Sequence, residues 1–456
     1  MYVSVPFLFW VLHFSEFHLQ LASGSQNPDM PTFELTWEEV KRNVPLVKDE
    51  GTAETSITYM SSAIQLDPGR VVLTPPSKTP IPMPPQPFLL RGLHVEVVYP
   101  NGQPVPLTEV YLHHIAFYDG VTSADLCGGA SLEGKDALWS VGAESRHTST
   151  FFPDGYGYPV LGNSSDFPTQ WSANIHIIRT KGVPHVKHCI ECHCGGAGGG
   201  SEDCCPHGSL CGGMPAGAAT PGAREPYHVQ YTVWYDELPG PGGGPGPVPL
   251  RYHTLDAAAC QLEWNIPARC PWRFRHAGTV PGSTQLRGAG LRGSGRYFPF
   301  DFLAGALGPS RGPGRCVSPM RWSLTWPYDG RVVFAKGHLH TGGIDLSLYR
   351  ATAAGGEELL CRTAARYGSG WGGNRTGAEG ESPREPADQP AGNELGYVVG
   401  VDSCRGSLRR GLVLRAGDRL TVEARYHSAP WYEGVMGLLD IAVAPDGALP
   451  QGVAEA

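Results

Sequence analysis

Residues 331–350, RVVFAKGHLHTGGIDLSLYR, decide how this chain folds. Two runs of β-branched and apolar residues, RVVFAKGHLH and IDLSLYRA, flank a Thr-Gly-Gly turn, and neither carries the three-to-four-residue apolar spacing of a helix. They read as strands. Outward from here the same character repeats: RWSLTWP, LGYVVGVDS, DRLTVEARYH and VMGLLDIAVA to either side, and LHVEVVYP, EVYLHHIAFYD, WSANIHIIRT and YHVQYTVWYDEL in the N-terminal half. Gly, Pro, Asn and Asp separate them. The fold class expected is all-β, two antiparallel β-sandwiches of jelly-roll-like type in tandem, with glycine-rich insertions.

The division along the chain follows composition. Residues 1–24 open with the apolar run MYVSVPFLFWVLHF and reach small residues at Ala22, Ser23 and Gly24, the pattern of a signal peptide. No Lys or Arg precedes Lys41, so a buried N-terminal segment is the alternative. Residues 25–85 form a polar lead-in ending in a proline-rich stretch, expected to be extended and poor in regular structure. The first sandwich spans 86–238, with a cysteine-rich loop at 189–211. PGPGGGPGPVP at 239–249 breaks the chain, and the second sandwich spans 250–446 with insertions at 286–315 and 368–395, leaving 447–456 as a tail.

Bulk properties exclude some functions. The formal charge is −8 over 456 residues, 17% of them charged, with no basic run or stripe to bind a phosphate backbone, so nucleic acid is not an expected partner. No segment after the N-terminal run is apolar for long enough to cross a bilayer as a helix. Twelve cysteines suit an oxidising compartment: Cys189, Cys192, Cys194, Cys204, Cys205 and Cys211 in the cluster, and Cys127, Cys260, Cys270, Cys316, Cys361 and Cys404 dispersed. The cluster also holds His188, His193 and His207, which keeps zinc open beside the disulfide reading. Asn163 and Asn374 begin glycosylation acceptor tripeptides. Together these features point to a secreted protein.

The histidines carry the chemistry. His338 and His340 are two apart on one strand, so both rings leave the same face and can reach one ion. His113 and His114 are adjacent, which on a regular strand aims them apart; joint ligation then requires a bulge, a strand end or use of Nδ1 by at least one of them. His176 alone reads as a hydrogen-bonded core residue, and Met436 as core filler.

The order His-His, a single His sixty-two residues later, His-x-His on a strand, then a late-strand Met resembles the copper type II, ascorbate-dependent monooxygenases. That resemblance implies two copper ions: one on His113, His114 and His176 that supplies an electron, and one on His338, His340 and Met436 where oxygen binds, with ascorbate as reductant and an unidentified C–H substrate. Both sets should then face a common cleft. VPLTEVYLHHIAFYD, WSANIHIIRTKGV, CIECHC, GHLHTGGI, GNELGYVVGVDSC and EGVMGL, in that order over residues 85–443, also resemble the stress up-regulated nodulin family, the nineteenth of the nodulins. Three functions remain in competition: a copper monooxygenase, a non-catalytic extracellular copper-binding or structural protein, and a zinc-dependent hydrolase using Asp345 or Glu433 as base. Arg350, Tyr397 and Tyr426 are candidate polar anchors for a substrate.

Overall fold

The computed structural model describes residues 35–42, 55–119, 139–148, 150–160, 171–184, 186–190, 207–211, 224–238, 247–261, 263–267, 316–369, 391–404, 411–428 and 432–446. The first half contributes β1 (Trp37–Arg42), β2 (Thr55–Ser61), β3 (Ile64–Leu66), β4 (Val71–Leu73), β5 (Phe88–Val98), β6 (Val110–Tyr118), β7 (Trp139–Val141), β8 (Thr150–Phe151), β9 (Tyr156–Val160), β10 (Ser172–Arg179), β11 (Glu225–Glu237) and β12 (Val248–Pro249). One sheet is ordered β1-β2-β11-β5-β9-β12, with β3 on β11 and β8 on β5; the other is β4-β10-β6-β7.

The second half adds β13 (Arg251–Asp256), β14 (Glu263–Ile266), β15 (Val317–Thr325), β16 (Gly330–Leu339), β17 (Gly343–Ala351), β18 (Glu357–Tyr367), β19 (Val398–Val401), β20 (Val413–Leu414), β21 (Arg419–His427) and β22 (Tyr432–Pro445). They form the sheets β13-β22-β16-β20, with β14 on β22, and β15-β21-β17-β18-β19. Pairing is antiparallel between these strands, and in the first half only β9 with β12 is parallel among the described residues. The fold is all-β and sandwich-like, as the strand pattern requires.

Two segments differ from expectation. The lead-in is built into the first half: β1 to β4 all lie before residue 85, and β2 pairs with β11 along six positions. Thr55, Ile57 and Tyr59 alternate with polar neighbours there, and the short run was masked by the proline-rich stretch that follows. The linker also ends as structure, because Val248 and Pro249 pair with Tyr156 and Gly157. Of the insertions, 286–315 and the middle of 368–395 lie outside the described residues, but Glu394 is fully buried and accepts a hydrogen bond from the Leu107 amide at 2.9 Å.

The sheet β13-β22-β16-β20 is buried on both faces. Along β22, Val435, Leu439, Ile441 and Val443 enter the core of the second sandwich with Trp326, Leu346, Val422 and Tyr426. The alternate residues Met436, Leu438, Asp440, Ala442 and Ala444 face the other way and are also buried. A strand covered on both sides reads as a continuous apolar run, which VMGLLDIAVA is. The second face packs on the first half: Tyr252 stacks on Trp139 at 5.0 Å, Phe334 meets Phe152 at 5.6 Å, and Lys336 Nζ donates to the Ser140 carbonyl at 3.0 Å.

Disulfides tie the periphery. Cys189 bonds Cys211, and Cys361 on β18 bonds Cys404 after β19; Cys260 and Cys316 are also disulfide-bonded, and no described cysteine is free. Cys127, Cys192, Cys194, Cys204, Cys205 and Cys270 lie outside the described residues, as do Asn163, Asn374 and the N-terminal run. No described helix is long and apolar enough to cross a membrane. The Cys361–Cys404 bridge closes a segment separated by 43 residues. Replacing both cysteines by Ser should lower the unfolding free energy by about 4 kcal/mol on loop-closure grounds. Urea unfolding of the oxidised wild type against the double variant measures it.

Candidate metal centre

His113 and His114 sit on β6 and His176 on the neighbouring strand β10. Their pairing runs in step from Ser172 with Tyr118 to His176 with His114, then slips, so that Ile177 faces Leu112 and His113 is left without an opposite number. His113 is the extra residue of a β-bulge. The bulge abolishes the alternation that would otherwise aim the adjacent histidines apart. It brings His113, His114 and His176 together with one ring nitrogen from each within 4.8 Å of the others.

The rings are closely set, with centroids at 4.1 Å for His113–His176, 5.1 Å for His114–His176 and 5.3 Å for His113–His114. Nδ1 of His113 lies 3.2 Å from Nδ1 of His114. Two nitrogens each about 2.0 Å from an ion at tetrahedral angles stand about 3.3 Å apart, so that pair already has the spacing of two ligands on one metal.

Asn174, two residues before His176, determines which nitrogen His114 offers. Its Nδ2 donates to the Thr74 carbonyl at 2.7 Å, which leaves Oδ1 to accept from His114 Nε2 at 2.6 Å. With the proton on Nε2, the lone pair of a neutral His114 is on Nδ1, toward His113.

His338 lies on β16 and His340 directly after it, on the face turned toward the first half. Leu339 pairs with Gly437 and His338 with Leu438, so His340, the next residue, follows the strand pair at the end of β22 that carries Met436. The buried Tyr426 hydroxyl joins the two backbones, accepting from the His340 amide at 2.9 Å and donating to the Met436 carbonyl at 2.5 Å. Gly342, with φ +94°, makes the turn that follows, and a side chain there would collide with the Tyr432 ring.

The two sets abut. The ring of His340 is 4.4 Å from that of His113 and 5.1 Å from that of His338. All five histidines are at most 6% exposed, and among the described residues the two sets are in ring contact with each other. Nε2 of His113, His338 and His340 makes no hydrogen bond among the described residues. An unsatisfied buried polar atom costs about 1–3 kcal/mol.

Burial first, and the neighbouring imidazoles second, push His113 and His340 far below the ordinary histidine range, and burial and His114 do the same to His176. Burial pushes His114 down to about 4, against the opposing effect of its bond to Asn174. Neutral imidazole is the form that ligates a metal.

Charge enters through groups that the sequence did not mark. Glu144 is fully buried in a 3-10 turn, Ala143–His147, and accepts from His338 Nδ1 at 2.8 Å and from the Gly142 amide at 3.1 Å. Burial would raise its carboxyl, yet His338 and Lys336 hold it below the usual range. Lys336 lies 3.5 Å from Asp440, both 1% exposed; burial lowers the lysine and raises the aspartate, each opposed by its partner. Glu144, Lys336 and Asp440 thus bring buried charge of both signs beside the rings.

The other candidates are occupied elsewhere. Arg350 pairs with Glu358 and Asp418, and Tyr426 is committed to backbone, so neither is a free substrate anchor. Tyr397 is buried beside Tyr111, 5.9 Å between rings. The Asp345 carboxylate is held by Arg425 and Arg362, which removes it as a general base. His207 Nδ1 accepts from the Leu73 amide at 3.2 Å, and the described cysteines of its loop, Cys189 and Cys211, are joined as a disulfide.

The family model described as Stress up-regulated Nod 19 matches residues 52–126, 121–199 and 308–446, together more than half of the chain and including all five histidines and Met436. No curated protein matches the chain.

Proposed function

The chain belongs to the stress up-regulated Nod 19 family, and we propose that it is an extracellular copper-binding protein of the stress response. The convergence of His113, His114 and His176 on one point, with donor nitrogens within 4.8 Å, carries this reading. Three neutral imidazoles suit copper in either oxidation state, and zinc competes for the same set. The second set argues for copper: His338 and His340 lie at the end of β16 that meets the Met436 end of β22, and a thioether is a soft donor that favours Cu(I) and serves Zn(II) poorly. Disulfides among the described cysteines support an oxidising compartment.

A second reading, ascorbate-dependent hydroxylation of a C–H bond, is favoured by the unlike character of the two donor sets. Bound copper would supply electron transfer at an all-nitrogen site and oxygen chemistry at a nitrogen-and-sulfur site. Complete burial of the five rings argues for holding the metal over serving a bulky substrate. The experiment is metal analysis of protein secreted in copper- and zinc-containing medium, followed by oxygen uptake with ascorbate. The expected result is two copper ions per chain, with no oxygen consumption coupled to a broad panel of C–H substrates. Coupled uptake would establish the hydroxylase, and stoichiometric zinc or no metal would remove the copper reading altogether.

A further inference from the structure

The geometry points to Glu144 as the positioning residue of the second metal site, a carboxylate from the first half that sets the tautomer of His338 in the second; the inference rests on the proposed copper reading. A carboxylate can only accept, so the 2.8 Å contact places a proton of His338 on Nδ1, and Nε2 is the nitrogen left to meet a metal. That Nε2 makes no hydrogen bond among the described residues.

Glu144 is itself held. Its Oε1 also takes the Gly142 amide at 3.1 Å, and the 3-10 turn that carries it is buried from Ala143 to Ser145. Gly142 shapes the seat for the imidazole: a Cβ there would stand 2.6 Å from Cε1 of His338 and 2.6 Å from the His113 carbonyl oxygen. Only glycine lets the ring lie against the turn. Gly142 also follows β7, the strand that pairs with β6 beside the bulge, so the support for His338 is continuous with the strand pair that presents His113 and His114. The two donor sets are therefore built on a shared piece of backbone, and His338 is oriented by a residue distant in sequence.

The test uses the full-length protein labelled with ¹⁵N-histidine and titrated with Cu(I) against a chromogenic chelator. In the metal-free wild type, at a pH where His338 carries a single proton, the ¹⁵N spectrum should show that proton on Nδ1. Glu144→Leu should lose that single tautomer and bind one of two copper ions roughly ten- to a hundredfold more weakly, the range for loss of an outer-sphere partner, while the other ion binds as in wild type. Glu144→Gln keeps an acceptor oxygen in place, so it should retain the tautomer and lose less than about tenfold, the conservative rescue that a merely structural role would not produce. Gly142→Ala, which leaves the carboxylate intact, should displace the ring and weaken the same ion.

Two copper ions bound by Glu144→Leu as tightly as by wild type would overturn the inference and leave the copper reading standing. So would a wild-type His338 protonated at Nε2. A wild type that takes only one copper or none would overturn the second site and the inference with it. If Glu144→Leu does not fold, Glu144→Gln and the wild-type tautomer decide the matter.

Discussion

His176→Ala should reduce copper binding from two ions to one, with the affinity of the lost site down by at least a hundredfold. Losing one of three ligands removes a bond to the metal, and so exceeds the roughly ten- to hundredfold loss that follows loss of an outer-sphere partner. His176 is fully buried on β10 at the edge of the bulge, and Ala leaves the backbone pairing of β10 with β6 intact. The same variant should lose part of the thermal stabilisation that copper confers, since a ligand at a thousand times its Kd adds about 4 kcal/mol to the folded state. Chelator competition and thermal unfolding with and without copper read the two effects. His340→Ala should spare the three-histidine ion. If His176→Ala still takes two copper ions at wild-type affinity, the first site is wrongly assigned.

Acid should unfold the metal-free protein well before its carboxylates titrate. His113, His114, His176, His253 and His340 are all lowered by burial, His114 and His253 to about 4. Above the ordinary histidine value of 6.5 these rings are neutral whether the chain is folded or not, and they contribute no pH dependence. As the pH falls below 6.5 the unfolded chain takes up protons that the folded chain refuses, so stability declines, and of the folded rings His114 and His253 begin to protonate near pH 4. At pH 5.5 each ring costs about 1 kcal/mol, so the five together remove a sizeable part of a typical total of about 5–15 kcal/mol. Glu144, held below its ordinary 4.5, adds to the loss only at lower pH, and Asp440, raised by burial, works in the opposite direction there. Urea unfolding from pH 7.5 to 5 should show the free energy falling with a slope approaching five protons. A flat profile would mean that the rings are solvated.

The strands were legible because alternation and turn residues are local. RVVFAKGHLH, EVYLHHIAFYD and WSANIHIIRT form β16, β6 and β10 within a residue or two of where the sequence places them. β18 was not, since EELLCRTAARY begins with three exposed residues and has no clean alternation. The same holds for the site. His338 and His340 declare a shared face through their spacing, whereas the joint use of His113 and His114 depends on a register slip against β10, which is a property of two strands and is invisible in either. Glu144 and Asn174 carry no motif at all. Each becomes significant only when the fold brings it to a ring nitrogen, Glu144 across 194 residues and Asn174 across 60.

The doubly covered sheet β13-β22-β16-β20 has a consequence for dissecting this molecule. A cut within 239–249 divides the covalent chain near its middle, but each fragment would carry away half of a hydrophobic contact and an incomplete set of imidazoles. The fragment beginning near Leu250 would expose Met436, Leu438, Ala442 and the rings of His338 and His340 to water, and the other would expose Trp139 and Phe152. Expressed separately they should be sticky and poorly soluble; expressed together they should recombine into a nicked but native assembly, as inseparable in practice as the two halves of a single core.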